Sequence, residues 1–179
     1  VDRNGYGYVG DYKLGVREGW GMDSQDAGQY TGEYKNSAKN GIAEIFDDDG
    51  CYTGEVKEGK PHGFGFYNGN EYQYTGEYRE GVFHGEGMYQ SNKYQYVGGY
   101  KDGKFHGVGF KMGGNDYYKG EWDDGKRHGI ALYKDLAGKI HMCKFVNDQS
   151  KTSETVPKEE LESKVGHLDM NKYLQSKQA

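Results

Sequence analysis

Segments in which every second residue is apolar or glycine recur along this chain. In Tyr52-Thr53-Gly54-Glu55-Val56-Lys57 the alternation places the Tyr, Gly and Val side chains on one face of a strand. The stretch His62-Gly63-Phe64-Gly65-Phe66-Tyr67 returns with the same alternation. The connection Glu58-Gly59-Lys60 is short and glycine-centred, which is typical of a β-hairpin, and Pro61 argues against continued pairing beside it. This segment predicts two short antiparallel strands.

The sequence motif that opens this hairpin occurs six times along the chain, with a period of 22 residues. The opening residues are Tyr8, Tyr30, Tyr52, Tyr74, Tyr96 and Tyr118. A first glycine column follows two residues later at Gly10, Gly32, Gly54, Gly76, Gly98 and Gly120. A second column follows at Gly19, Gly41, Gly63, Gly85, Gly107 and Gly129. Such a period indicates an array of repeated hairpins, with about twelve strands stacked in order.

Composition indicates how such a sheet is stabilised. Only 34% of the 179 residues are hydrophobic and the mean hydropathy is -1.07, but the chain has 18 Tyr, 7 Phe and 2 Trp. We expect tyrosine rings to lie on neighbouring strands where the glycines leave room. A second, mostly aromatic column on the same face consists of Tyr12, Tyr34, Val56, Tyr78, Tyr100 and Trp122. The prediction is an all-β, elongated single-layer antiparallel meander of about six hairpins, roughly 55 to 60 Å long and twisted into a trough.

Reactive residue types form columns instead of clusters. His62, His84, His106 and His128 are two strands apart from one another, about 9 to 10 Å, which favours a structural role in bonding the preceding turn over a metal site. An acidic column is expected on the face opposite the aromatics, at Asp11, Glu33, Glu55, Glu77 and Glu121, with Gly99 interrupting it. We find no catalytic motif, and we expect no enzyme activity, cofactor or metal. The net charge of -5 argues against a nucleic-acid partner.

The motif residues resemble the MORN (membrane occupation and recognition nexus) repeat family. The resemblance rests on Tyr74-Thr75-Gly76-Glu77-Tyr78, Gly81 and His84-Gly85-Glu86-Gly87, with counterparts over roughly residues 8 to 145. Departures from the pattern are Glu18, Ser37, Asn40, Ala43 and Ala131. The resemblance implies an elongated β-meander that acts as a non-catalytic scaffold or adaptor, often at membranes, cilia or other cytoskeletal structures.

The aromatic face has two interpretations, because Tyr and Trp both anchor interfaces and stabilise thin sheets. If it binds a protein, the partner is expected to be a helix or an extended peptide. The candidate contacts are Tyr34, Tyr78, Tyr100, Trp122, Tyr74, Tyr96 and Tyr118. The alternative function is a peripheral tether to acidic phospholipids, which the net negative charge disfavours. Self-association through the sheet ends is compatible with either function.

The expected domain organisation has three parts. Residues 1–145 form the array, with 139–145 as a degraded final strand, and residues 146–156 form a polar linker. Residues 157–177 contain one or two helices, because Pro157 suits a first turn and Leu161, Val165 and Leu168 recur at helical spacing. This segment either caps the last hairpin or binds another protein. We expect a cytoplasmic protein, and the family resemblance points to the cytoskeleton or cilium.

Overall fold

A computed structural model describes residues 7–25, 28–114, 116–135 and 137–155. Fourteen β-strands account for most of them. They are β1 Gly7–Lys13, β2 Val16–Gln25, β3 Gly28–Lys35, β4 Ala38–Phe46, β5 Gly50–Lys57, β6 Lys60–Gly69, β7 Tyr72–Arg79, β8 Val82–Ser91, β9 Gln95–Lys101, β10 Lys104–Gly113, β11 Asp116–Asp123, β12 Lys126–Lys134, β13 Ile140–Val146 and β14 Gln149–Thr155. The helical segment expected at 157–177 lies outside the described residues.

The strands form one antiparallel sheet in chain order, with β1 and β14 at its edges. The prediction of an all-β antiparallel meander is confirmed, but the sheet has fourteen strands where about twelve were expected. The chain divides into two compact units, residues 1–89 and 90–179. The surfaces of each unit are described separately below.

Two-residue turns connect the strands of each hairpin. In the third hairpin Glu58 and Gly59 have φ angles of 49° and 79°, which is the combination that a type I′ turn requires. The same sign pattern occurs at the other six hairpin turns. The prediction that Pro61 ends the pairing is wrong, because Pro61 lies within β6 opposite Val56. A proline there is compatible with the sheet since its carbonyl remains available, and it accepts the backbone N–H of Gly81 at 2.9 Å.

A seventh hairpin replaces the expected linker. Residues 149–155 form β14, which pairs with β13 after a turn at Asn147 and Asp148. Both turn residues have positive φ, which Asn and Asp tolerate better than most residues. The carboxylate of Asp148 accepts hydrogen bonds from the backbone N–H and Nε of Arg127 at 3.0 and 3.2 Å. Strand β14 carries few apolar residues, so the alternation that identifies a strand from sequence is missing.

Candidate partner-binding surfaces

The seven aromatic residues expected to contact a partner are buried. The exposed fraction of each side chain is 6% or less, and it is 0% for Tyr74 and Tyr96. In each compact unit they belong to the packed core of one surface of the sheet. We call this surface the tyrosine face and define it by the buried opening tyrosines Tyr30, Tyr52, Tyr74, Tyr96 and Tyr118. These rings therefore stabilise the sheet, and a partner on this face would first meet other side chains.

Each opening tyrosine makes the same hydrogen bond, and in four of the six repeats its ring lies against a glycine of the next strand. The hydroxyl of Tyr52 donates a 2.6 Å hydrogen bond to the backbone carbonyl of Glu55, and its ring lies against Gly65 on the next strand. Burial raises the pKa of Tyr52 to about 12, because the phenolate would lose its hydration. The equivalent hydroxyl bonds run from Tyr8 to Asp11, Tyr30 to Glu33, Tyr74 to Glu77, Tyr96 to Gly99 and Tyr118 to Glu121.

A further column covers these rings, and it was missed in the sequence. The residue nine positions after the opening tyrosine packs over its ring, as Phe83 does on Tyr74 with centroids 3.8 Å apart and planes 8° apart. Phe105 stacks in the same way on Tyr96 at 3.8 Å. In three other repeats a cation takes this place, with Arg17 over Tyr8, Lys39 over Tyr30 and Arg127 over Tyr118, and the third repeat has Pro61 there. The 22-residue period could have identified this column, because its positions recur with the same spacing as the opening tyrosines.

The second glycine column has a different cause from the one expected. Gly63 lies in a bulge of β6 with a φ of 62°, and a Cβ there would lie 2.6 Å from the carboxyl carbon of Glu55. The Glu55 carboxylate occupies this space because it accepts the backbone N–H of Phe64 at 3.0 Å. Matching bonds join Asp11 to Trp20, Glu33 to Ile42 and Glu77 to Glu86. The acidic column thus closes the bulges, whereas the opening tyrosine rings lie against different glycines, namely Gly21, Gly65, Gly87 and Gly109.

The histidine column lies beside these bulges. Where the column holds Glu18 or Asn40 instead, the side chain accepts the backbone N–H of Asn36 or Glu58 in the following turn. The Nδ1 atoms of His62 and His128 are buried without a hydrogen bond, so the expected bond to the preceding turn is not made through them. Within the described ranges, no group of three or more His, Cys, Asp or Glu side chains is placed to hold a metal ion.

The opposite surface of the sheet exposes large apolar side chains. In the first compact unit Trp20, Ile42 and Phe64 have exposed fractions of 54%, 46% and 58%. Each lies directly across from a carboxylate of the next strand, in the pairs Trp20 with Glu33, Ile42 with Glu55 and Phe64 with Glu77. We call this surface the glutamate face and define it by those six residues. Met22, Phe46 and Phe66 extend its apolar area.

The two units differ in charge. Residues 1–89 contain eight Lys and Arg against sixteen Asp and Glu, whereas residues 90–155 contain eleven against eight. The net charge of the whole chain conceals this difference. The acidic excess of the first unit would favour a basic partner there.

Comparison with known protein families agrees with the repeat geometry. A family model described as the MORN repeat matches residues 52–70, 74–94, 96–115 and 118–135. These are four consecutive matches, and they confirm the resemblance seen in the sequence for residues 52–135. MORN repeats are in general modules that mediate interactions with proteins or membranes. No curated protein matches the chain significantly. Across the residues that the structure describes, no helix is long and apolar enough to cross a membrane.

Proposed function

We propose that this chain is a non-catalytic scaffold that binds a partner protein on the glutamate face of its first compact unit. The observation that carries the proposal is the exposure of Trp20, Ile42 and Phe64, each about half accessible on one surface. Exposed apolar groups of this kind mark interaction surfaces, because leaving them in water is unfavourable. Their alternation with Glu33, Glu55 and Glu77 defines the chemistry of the partner.

The fitting partner is a helix or an extended peptide with apolar side chains on one side and Lys or Arg beside them. Its apolar groups would cover Ile42 and Phe64, and its cations would approach the neighbouring carboxylates. Those carboxylates keep their bulge hydrogen bonds, since each uses one oxygen for the backbone N–H. Rim charges of this type chiefly affect the association rate and its salt dependence.

The tyrosine face is the rival surface. In the first unit three half-buried rings lie side by side on it, with Tyr67 tilted against Tyr72 at 4.9 Å and Tyr89 stacked on Tyr72 at 5.2 Å, and Tyr12 is 60% exposed. It exposes fewer large apolar groups than the glutamate face, which is why we place the partner on the latter. Curvature of the tyrosine face into a binding trough stays a prediction.

Two matched variants separate the surfaces. Ile42→Ser with Phe64→Ser alters the glutamate face, and Tyr67→Ser with Tyr72→Ser alters the tyrosine face. Each is expressed as tagged full-length chain, and its thermal unfolding shows whether the fold is kept. Quantitative co-purification identifies a protein recovered with the wild type, which is then purified and titrated against all three chains. We expect loss of affinity in the first variant alone. Loss in the second variant alone would place the partner on the tyrosine face.

The cellular setting is a separate part of the proposal. The family resemblance supports a ciliary or cytoskeletal assembly in the cytoplasm, which localisation of the tagged chain tests. The alternative function, binding to acidic phospholipids, is disfavoured by the carboxylates of the glutamate face, since attraction to such membranes comes from Lys and Arg at about 1 kcal/mol each. Strong flotation of the purified chain with phosphatidylserine vesicles at physiological salt would support the membrane function instead.

A further inference from the structure

The second compact unit carries an apolar patch on the surface opposite its tyrosine face. Leu132 is buried there among Val108, Tyr117, Ile140 and Met142. Met112 and Ile130 at its margin are each 45% exposed. We call these seven residues the leucine patch. It is a second hydrophobic cluster in a sheet whose other core residues belong to the tyrosine face.

Three lysines lie beside the leucine patch, while the carboxylate of Glu121 stands across from Val108 at its margin. Lys119 lies directly across from Leu132, and Lys134 lies across from Ile140. Lys144 faces Ile130 in the same way. The patch therefore interleaves apolar side chains with ammonium groups, and an amphipathic segment with carboxylates would complement it.

The chain itself leads such a segment to the patch. Strand β14 ends at Thr155, and the backbone of Glu154 pairs with Met142, a member of the patch. Residues 156–179 follow directly. Within them Leu161, Val165 and Leu168 recur at helical spacing. Residues 157–168 carry three carboxylates, at Glu159, Glu160 and Glu162, against two ammonium groups, at Lys158 and Lys164.

We propose that residues 157–168 dock as an amphipathic helix on the leucine patch of the same molecule. A helix of this length extends about 18 Å, which is enough to cross the four strands from β13 to β10, whose outer two axes lie about 14 Å apart. Leu161, Val165 and Leu168 cover the apolar side chains, and the glutamates approach Lys134 and Lys144. The docking is independent of the partner on the glutamate face, because different residues form it.

Zero-length carbodiimide cross-linking of the full-length chain tests this arrangement. In the monomeric fraction we expect amide links from Glu159, Glu160 or Glu162 to Lys134 or Lys144, identified by mass spectrometry. Replacing Leu161, Val165 and Leu168 together by Ser should lower their yield about tenfold or more, since one buried leucine alone contributes roughly that factor. Gln175→Ser is the control, because it lies in the same C-terminal part of the chain but outside residues 157–168.

Hydrogen exchange gives a second readout on the folded sheet. The triple variant should exchange faster than the control at the amides of β12 and β13, because the helix no longer covers them. An equal yield of these cross-links in the triple variant and the control would overturn the proposal, as would links directed mainly to lysines of residues 1–89. A mixture of isotopically heavy and light chains tests for a second copy, and predominantly mixed-isotope links would also overturn it.

Discussion

The carboxylate of Glu55 accepts a 3.0 Å hydrogen bond from the backbone N–H of Phe64 on the adjacent strand. This bond spans the β-bulge in which Gly63 has positive φ. The acidic side chain of the repeat therefore bonds to the backbone at the bulge. The fifth repeat is a natural exception. Gly99 stands in the acidic column there, and a Cβ at Gly107 would meet nothing within 4 Å.

Removing one bulge carboxylate should destabilise the fold modestly. Glu77→Ala leaves the N–H of Glu86 without its acceptor, and we expect the free energy of unfolding to fall by about 1 kcal/mol in urea titrations. The exposed Glu71→Ala serves as control and should change it little. Conversely, Gly99→Glu should stabilise the chain by roughly 0.5 to 1 kcal/mol, because it supplies the missing carboxylate. A loss of stability in Gly99→Glu would contradict this explanation of the acidic column.

The two glycines that face each other across a strand pair should differ in their tolerance of alanine. A Cβ at Gly76 would lie 2.5 Å from the carbonyl oxygen of Glu86 and 2.6 Å from the Cα of Gly87, which are backbone atoms, and 2.6 Å from the Tyr74 hydroxyl. A Cβ at Gly87 would meet mainly the Tyr74 ring, and the second and sixth repeats already hold Ala43 and Ala131 at that position.

We therefore expect Gly76→Ala to cost about 2 kcal/mol or more and Gly87→Ala about 1 kcal/mol or less. Chemical unfolding of both variants under the same conditions measures the difference. Equal costs would mean that the ring, and not the backbone, limits the space at both positions.

Alkaline pH should unfold the protein cooperatively. Burial raises the pKa of the core tyrosines above the ordinary value of 10.0, to about 12 for Tyr52 and further for Tyr30, Tyr74 and Tyr118. The unfolded chain releases these phenol protons from about pH 10 upward while the folded chain retains them, so stability is constant below that pH and falls above it.

Each such tyrosine lowers the stability by up to about 1.4 kcal/mol per pH unit within this window. Thermal unfolding between neutral pH and strong alkali, followed together with phenolate absorbance, checks the prediction. Core phenolate absorbance that develops at ordinary tyrosine pH while the sheet stays folded would show that these rings are solvated.

The seventh hairpin should depend on Asp148. Burial opposes ionisation of its carboxyl group, but the hydrogen bonds and charge of Arg127 outweigh burial and lower its pKa below 3.8. Asp148→Ala removes both hydrogen bonds, so we expect faster hydrogen exchange in β13 and β14 with little change in β1 to β7. Asp148→Asn should have a smaller effect because its amide oxygen can still accept the backbone bond. Unchanged exchange in Asp148→Ala would show that other contacts hold this hairpin.

The repeat period made most of the fold predictable. Tyr52 marks the packed face of its strand, Gly54 allows two strands to approach closely, and Gly59 belongs to the turn. These positions recur every 22 residues, so one hairpin predicts the others. The seventh hairpin was not predictable in this way, because β14 lacks apolar alternation and Asn147 lies 23 residues after its counterpart Asp124. The remaining indication in the sequence was the pair Asn147 and Asp148, because both residue types tolerate the positive φ angles of a tight turn.

The candidate surfaces were harder to predict than the fold. Alternation placed Tyr74 and Tyr78 on one face correctly, but sequence gives no measure of how far Phe83 covers them. The exposure of Phe64 on the other face follows from the single layer, in which one side alone is packed in this unit. Periodicity identifies the face of a residue, whereas accessibility depends on neighbours from other strands.

Five of the hairpin turns are also bonded to the hairpin before them. The second turn residue donates its backbone N–H to the carbonyl of the strand residue 20 positions earlier, or 21 at the seventh turn, as Gly59 does to Lys39, Gly81 to Pro61 and Asp148 to Arg127. Deleting or duplicating one complete period would leave every such donor with an equivalent acceptor, whereas a partial deletion would break the chain of bonds. Genetic variation in the length of the array should therefore occur in whole hairpins, which makes the number of partner positions adjustable without redesign of the sheet.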